Sequence, residues 1–218
     1  MSVSVHANES DAPLRYLALG DSYTIGESVP ESGRWPVQLA AGLRAHGIAL
    51  APPRIVAATG WTTDELSAAM DAAGLDPPYD LVSLLIGVNN QYRGRSVEDY
   101  RGEFAELLAR AIGLAGNRPG RVLVLAIPDW GVTPFGHGSG RDTAQVAREL
   151  DAYNATARAI AEARGVAFVD IAPVSRARGA QKPMVAADGL HPSAQMYAQW
   201  TDQALPVARR LLEPAPEE

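Results

Sequence analysis

Residues 80–88, Asp-Leu-Val-Ser-Leu-Leu-Ile-Gly-Val, form the longest nearly apolar run in the chain. The apolarity is continuous rather than alternating, which is the pattern of a strand covered on both faces of a sheet. Runs of the same kind lie on either side: Tyr16–Gly20 (YLALG) and Arg54–Ala58 (RIVAA) before it, Val122–Ile127 (VLVLAI) and Val166–Ile171 (VAFVDI) after it. Between and beyond them come stretches rich in Ala, Leu, Arg and Glu, with helical pattern over about residues 34–47, 63–73, 96–116, 142–164 and 193–212. Two of these carry start signals, Thr62 or Thr63 ahead of Asp64-Glu65 and Ser96 three residues before Asp99, since small polar caps and early acids suit a helix N-terminus. Alternating strands and helices imply parallel strands joined by right-handed crossovers. The expected fold is α/β, a three-layer α/β/α arrangement in a single domain over 1–218, with 1–13 and 213–218 as frayed tails. The longest irregular stretch, Pro128–Gly140 (PDWGVTPFGHGSG), follows the fourth strand; a loop of that length in a compact domain is functional or mobile.

Composition narrows the function. A chain of 218 residues buries roughly 70% of its extended surface on folding, so its core needs no covalent or metal staple. The 47% hydrophobic and 20% charged content is that of a folded protein. The absence of cysteine removes a disulfide scaffold, a zinc ribbon and a thiol nucleophile together. A net charge of −6 argues against a nucleic-acid partner. Lys182 is the single lysine. Residues 1–13 lack a basic start and an apolar stretch of signal-peptide length, and the 80–88 run is far too short to cross a bilayer. The expectation is a cytoplasmic protein with no stable membrane insertion; its oligomeric state is left open.

In an open parallel sheet, ligands bind beyond the carboxyl ends of the strands. The residues found there are Gly20-Asp21-Ser22-Tyr23 after the first strand, Thr59-Gly60-Trp61 after the second and Gly87-Val88-Asn89-Asn90 after the third, with Asp188-Gly-Leu-His191-Pro192 before the last helix. These assemble into an acyl-transfer site. A serine hydroxyl attacks only when a base takes its proton, and that base must itself be oriented. Ser22 supplies the nucleophile, His191 the base and Asp188 the orienting acid. Oxyanion donors would be the Ser22 and Gly60 N–H groups and the Asn89 amide, glycine at 60 letting the backbone come close.

The blocks GDSYTIGES, ATGWTTDEL, IGVNNQY and DGLHPSAQMYAQW, in this order and at strand ends, resemble the SGNH hydrolase superfamily, often called GDSL esterases/lipases. The resemblance runs from Tyr16 to about Leu212. Its name-giving residues correspond to Ser22, Gly60, Asn89 and His191, with Asp188 matching the triad acid. It implies a flavodoxin-like five-stranded sheet of order 2-1-3-4-5, which makes strands one, two and three neighbours. It also implies a serine-dependent hydrolase of carboxylic esters, with a small-molecule ester as substrate and no metal or organic cofactor. Two positions depart from the pattern: Tyr23 stands where the family has leucine, and Asn90 where aspartate is commoner, which removes a charge.

Each residue taken singly has a plainer reading. Ser22 suits a helix cap, Asn89 a loop cap, Gly60 a turn, and Asp188 with His191 an Asx turn before Pro192. The conjunction of four blocks favours catalysis. His6, His46 and His137 have no partner at metal-ligand spacing; His46 sits near a helix end, where a cation suits the dipole. Asp21 is expected to tie down the serine turn, and Asp170 and Asn154 to be structural. Trp61, Tyr23, Tyr92, Trp130 and Phe135 are expected on loops at the crevice side, and Trp130 and Phe135 are expected to line or gate an apolar subsite for the acyl chain. A phosphate site is disfavoured because residues 20–26 carry neither a Walker lysine nor a G-x-G-x-x-G pattern. A receiver-like domain would need an aspartate ending strand three. An α/β-hydrolase would carry Gly-x-Ser-x-Gly, which the serine block lacks. The readings that stay open are an acyl-thioesterase or carbohydrate acetylesterase on the same site, and a non-catalytic carbohydrate- or lipid-binding module.

Overall fold

Tyr16–Gly20 (β1) pairs in parallel with Arg54–Ala57 (β2) on one side and Leu81–Leu85 (β3) on the other, and Val122–Leu125 (β4) and Ala167–Val169 (β5) complete a sheet of order β2-β1-β3-β4-β5. The computed structural model describes residues 12–213; residues 1–11 and 214–218, where most of the expected fraying and His6 fall, lie outside it. Every residue of β1 and β3 is buried, while the edge strands β2 and β5 are only partly so. That difference is why the central runs read as uninterrupted apolar sequence.

The long helices are Trp35–Ala45 (α2), Thr63–Ala72 (α3), Val97–Leu114 (α5), Thr143–Ala163 (α7) and Ala194–Leu212 (α9). Four short ones go beyond the sequence expectation: Ser22–Ile25 (α1), Val88–Tyr92 (α4), Pro134–Gly138 (α6) and Ala172–Arg178 (α8). Helices α2, α8 and α9 pack together on one face, and α3, α5 and α7 on the other. The buried face of α9 (Met196, Tyr197, Trp200, Ala204, Ala208, Leu212) repeats at helical spacing and meets the sheet. Helix starts follow local chemistry. Thr62 and Glu65 form a reciprocal capping box at α3, and Ser96 accepts the Asp99 N–H at α5.

The stretch expected to be irregular, 128–140, is instead helical and pinned. Asp129 accepts the Gly131 N–H and caps a 3₁₀ turn over Trp130–Val132; Thr133 then caps α6, which begins with Pro134. Asp129 is itself buried and paired to Arg176 at 2.8 Å. Asn154 is structural as expected: its amide brackets Ile127, accepting the N–H at 2.7 Å and donating to the C=O at 2.9 Å. Asp170 likewise accepts the Ala172 N–H at the start of α8 and pairs with Arg158.

The register sets the loops beyond the strands level with one another. Gly20 of β1 lies beside Ala57 of β2 and Leu85 of β3. Ser22, Gly60 and Asn89 therefore leave the sheet two, three and four residues beyond one common edge. Gly20 is required at the first exit: a Cβ there would meet the Leu85 carbonyl oxygen at 2.5 Å and the Thr24 hydroxyl of α1.

Candidate active site

Asp21 builds the serine turn. Its Oδ1 accepts the Tyr23 N–H at 3.0 Å, and its backbone carbonyl accepts from Thr24 and Ile25, so α1 begins at Ser22. The expected tethering role is what the geometry shows. The other carboxylate oxygen, Oδ2, is buried without a hydrogen-bond partner. Burial pushes the Asp21 carboxyl up to about 7, against the backbone N–H bonds from Tyr23 and from itself that favour the charged form.

Ser22 sits 5% exposed at the head of this turn. With Tyr23, Thr59, Gly60, Val88, Asn89, Tyr92, Trp130, Phe135, Leu190 and His191 it lines a cleft of about 620 Å³. The cleft thus gathers every oxyanion candidate, the serine and the histidine. Asp188 stands behind the histidine: its Oδ2 lies 2.7 Å from His191 Nδ1. This fixes Nδ1 as the donor to the carboxylate and leaves Nε2 for the cleft. The Ser22 hydroxyl makes no hydrogen bond to the ring; the two line the same cleft. Tyr23 meets the His191 ring edge-on, with centroids 5.7 Å apart, and steadies it from below.

Asp188 collects four hydrogen bonds, from the Leu190 and His191 N–H groups, the His191 ring and the Ser28 hydroxyl. Burial pushes this carboxyl upward, but the four donors outweigh it and hold it at about 2.

The candidate oxyanion donors lie on the neighbouring loops. Gly60 has φ +88°, a left-handed conformation that a side chain would strain. Its carbonyl is held by Arg93 at 2.7 Å, and Arg93 is braced by Glu65 at 3.1 Å. Neither the Ser22 N–H nor the Gly60 N–H donates to another described residue. Asn89 donates one amide hydrogen to the Trp61 carbonyl at 2.8 Å, and its side chain makes no other hydrogen bond among the described residues while the residue lines the cleft. Sequence reasoning alone singles out neither Arg93 nor Ser28. Asn90, the departure from the commoner aspartate, is buried, accepts the Thr63 N–H and donates to Glu103 at 3.2 Å. An aspartate would face that glutamate as a like charge, so the asparagine matches its neighbour.

The aromatic expectations divide. Trp130 and Phe135 both line the cleft, but Trp130 is 2% exposed and its indole N–H donates to Gln91 at 2.9 Å, whereas Phe135 is 38% exposed. Tyr92 also lines the cleft, with the Arg141 guanidinium over its ring. Trp61 reaches the site only through its carbonyl, and Tyr23 is a buried residue of α1, not a loop residue. His46 and His137 lie elsewhere, His46 on the Gly42 carbonyl at the end of α2. No group of three or more metal-ligating side chains stands together among the described residues. No helix among them is long and apolar enough to cross a membrane.

Comparison with known proteins agrees with this fold. The model of the GDSL-like Lipase/Acylhydrolase family matches residues 18–199. No curated protein matches the chain in sequence. Among solved structures, TesA is similar at 21% identity with TM-score 0.71, covering 91% of this chain and 99% of its own. A lipase/acylhydrolase from Enterococcus faecalis is similar at 18% identity and TM-score 0.70, over 94% of this chain and 100% of that one. A variant of an acetyl xylan esterase from Geobacillus stearothermophilus gives 20% identity and TM-score 0.68, over 94% and 97%.

Proposed function

The chain belongs to the GDSL-like lipase/acylhydrolase family and is an enzyme of its esterase and lipase class, and we propose that it hydrolyses carboxylic esters with small or short acyl groups through a Ser22 acyl-enzyme. His191 Nε2 takes the Ser22 proton as Oγ attacks the ester carbonyl. The oxyanion is received by the Ser22 and Gly60 N–H groups and the free Asn89 amide hydrogen. Each such donor contributes about 2.7–4 kcal/mol to the transition state. His191, now charged and held by Asp188, protonates the leaving alcohol. A water deprotonated by the same ring then cleaves the acyl-enzyme. Asp188, held as a carboxylate down to about pH 2, keeps its charge toward the ring throughout the cycle.

The observation that supports this reading most is the convergence of Ser22, Gly60, Asn89 and His191 on one cleft, with Asp188 at 2.7 Å behind the histidine. The size of the cleft, about 620 Å³ including its open mouth, and its walls of Val88, Tyr92, Phe135 and Leu190 favour compact apolar acyl groups. Carbohydrate acetyl esters are the second reading, supported by the likeness to the acetyl xylan esterase and by exposed aromatic rings at the mouth. The test is a turnover screen over p-nitrophenyl esters of increasing chain length, acyl thioesters and acetylated xylan, with the Ser22→Ala protein as blank. Highest kcat/KM on two- to six-carbon acyl esters, abolished in the blank, is expected. Turnover confined to thioesters or acetylated sugar would replace the substrate assignment, and none at all would favour a binding module.

A further inference from the structure

Asp188 Oδ2 receives a second donor besides His191: the Ser28 hydroxyl, at 2.7 Å. Ser28 belongs to the serine turn itself. The Ser22 carbonyl accepts the N–H groups of both Gly26 and Glu27, and Val29 folds back onto the Gly26 carbonyl, so the segment that presents Ser28 hangs from the nucleophile's own backbone. The link therefore joins residues 160 positions apart, the turn holding the nucleophile and the loop holding its base.

Its backbone makes the residue conspicuous. Ser28 has φ +64°; among the described residues the other positive-φ positions are ten glycines and Asn117. Glycine would occupy this conformation without strain and asparagine with little. A side chain kept at a strained position beside a reactive centre points to a use for that side chain, and the contact Ser28 makes is the one to Asp188.

We propose that Ser28 is a positioning residue for the acid–base pair: its hydroxyl ties the serine turn to Asp188 and fixes that carboxylate, and through it the His191 ring, relative to Ser22. The inference rests on the reading of His191 as the base. It has an electrostatic consequence too. A hydrogen bond donated to Asp188 disperses the negative charge that faces the ring. Without it the carboxylate attracts the protonated imidazole more strongly, and the ring holds its proton to higher pH.

Ser28→Gly isolates the hydroxyl, since glycine suits the backbone. In that variant the acid limb of kcat/KM should move up by about 0.5 pH unit, roughly a threefold change in the ring's proton affinity. The His191 ring titration followed by NMR should move with it. At the plateau, kcat should fall several-fold with KM unchanged, and thermal stability should hold or rise. Ser28→Asn, which suits the backbone and carries an amide donor in place of the hydroxyl, should return the limb toward that of the parent. An unmoved limb and an unmoved ring titration in Ser28→Gly, in a protein whose His191→Ala variant is inactive, would reduce Ser28 to a loop residue and overturn the proposal. Activity retained by His191→Ala would instead overturn the base assignment beneath it.

Discussion

Replacing Asn89 by alanine separates two effects that the structure places on one side chain. The amide gives one hydrogen to the Trp61 carbonyl at 2.8 Å and offers the other to the cleft. Loss of the second removes an oxyanion donor, which costs about 2.7–4 kcal/mol in the transition state, or about 10²–10³ in kcat. Loss of the first leaves the half-buried Trp61 carbonyl to water, a cost of about 0.5–1.5 kcal/mol in the folded state. For a domain of this size, each kcal/mol lowers Tm by roughly 2–4 °C. Because the donor acts on charge that develops only as the ester carbonyl is attacked, kcat should fall and KM should not. The assay is steady-state hydrolysis of a short p-nitrophenyl ester, with a thermal melt of the same preparation. Asn89→Asp, nearly isosteric but with no hydrogen to give and a charge facing both Trp61 and the oxyanion, should be at least as damaging. A fall in kcat below tenfold with Tm unchanged would remove Asn89 from the oxyanion site. A fall that instead tracked Tm, and recovered at low temperature, would make Asn89 structural only.

Arg93→Met frees the Gly60 carbonyl now held at 2.7 Å and should lower kcat about tenfold, the equivalent of roughly 1.4 kcal/mol, at constant KM; unchanged kinetics would show that Gly60 holds its conformation unaided. Asp21→Asn keeps the acceptor for Tyr23 and removes a titration. Since burial raises the Asp21 carboxyl to about 7 in the folded protein from 3.8, the folded state binds the extra proton, and this contribution to stability is full below about pH 4 and lost as pH rises toward 7. The variant should therefore melt higher than the parent at pH 8 and lack that decline; parallel melting curves from pH 4 to 8 would refute it. Phe135→Ala, at a half-open position, should shift acyl chain-length preference with Tm nearly unchanged. Trp130→Ala should cost about 3–5 kcal/mol of stability because it empties a buried site, so a chain-length profile unaltered by Phe135→Ala would take the aromatic wall out of substrate selection.

The sheet was legible because its central strands are covered on both faces, so each announces itself as a continuous apolar run, and because the residues after Gly20, Ala57 and Leu85 leave one level edge. The candidate site was legible for the same reason: Ser22, Gly60 and Asn89 stand at fixed short distances from strand ends. What escaped was local or remote. The turns over 130–138 were written in Asp129, Thr133 and Pro134, cap residues followed by a helix-compatible proline, but the surrounding glycines read as loop. Arg93 and Ser28 make their contacts 33 and 160 residues away in sequence, and no periodicity or motif spacing encodes such pairs. Trp130 lines the cleft yet is mainly a core residue, a distinction set by burial and by the Gln91 partner that only the fold supplies.

The account stands on Ser22 being the activated nucleophile, and the most direct measurement is its covalent capture. Incubation with a fluorophosphonate at neutral pH, followed by intact-mass and peptide mass spectrometry, should show one adduct per chain on the peptide containing Ser22, absent in Ser22→Ala and strongly slowed in His191→Ala. A chain that stays unlabelled while hydrolysing esters, or that carries the adduct on another residue, would contradict it.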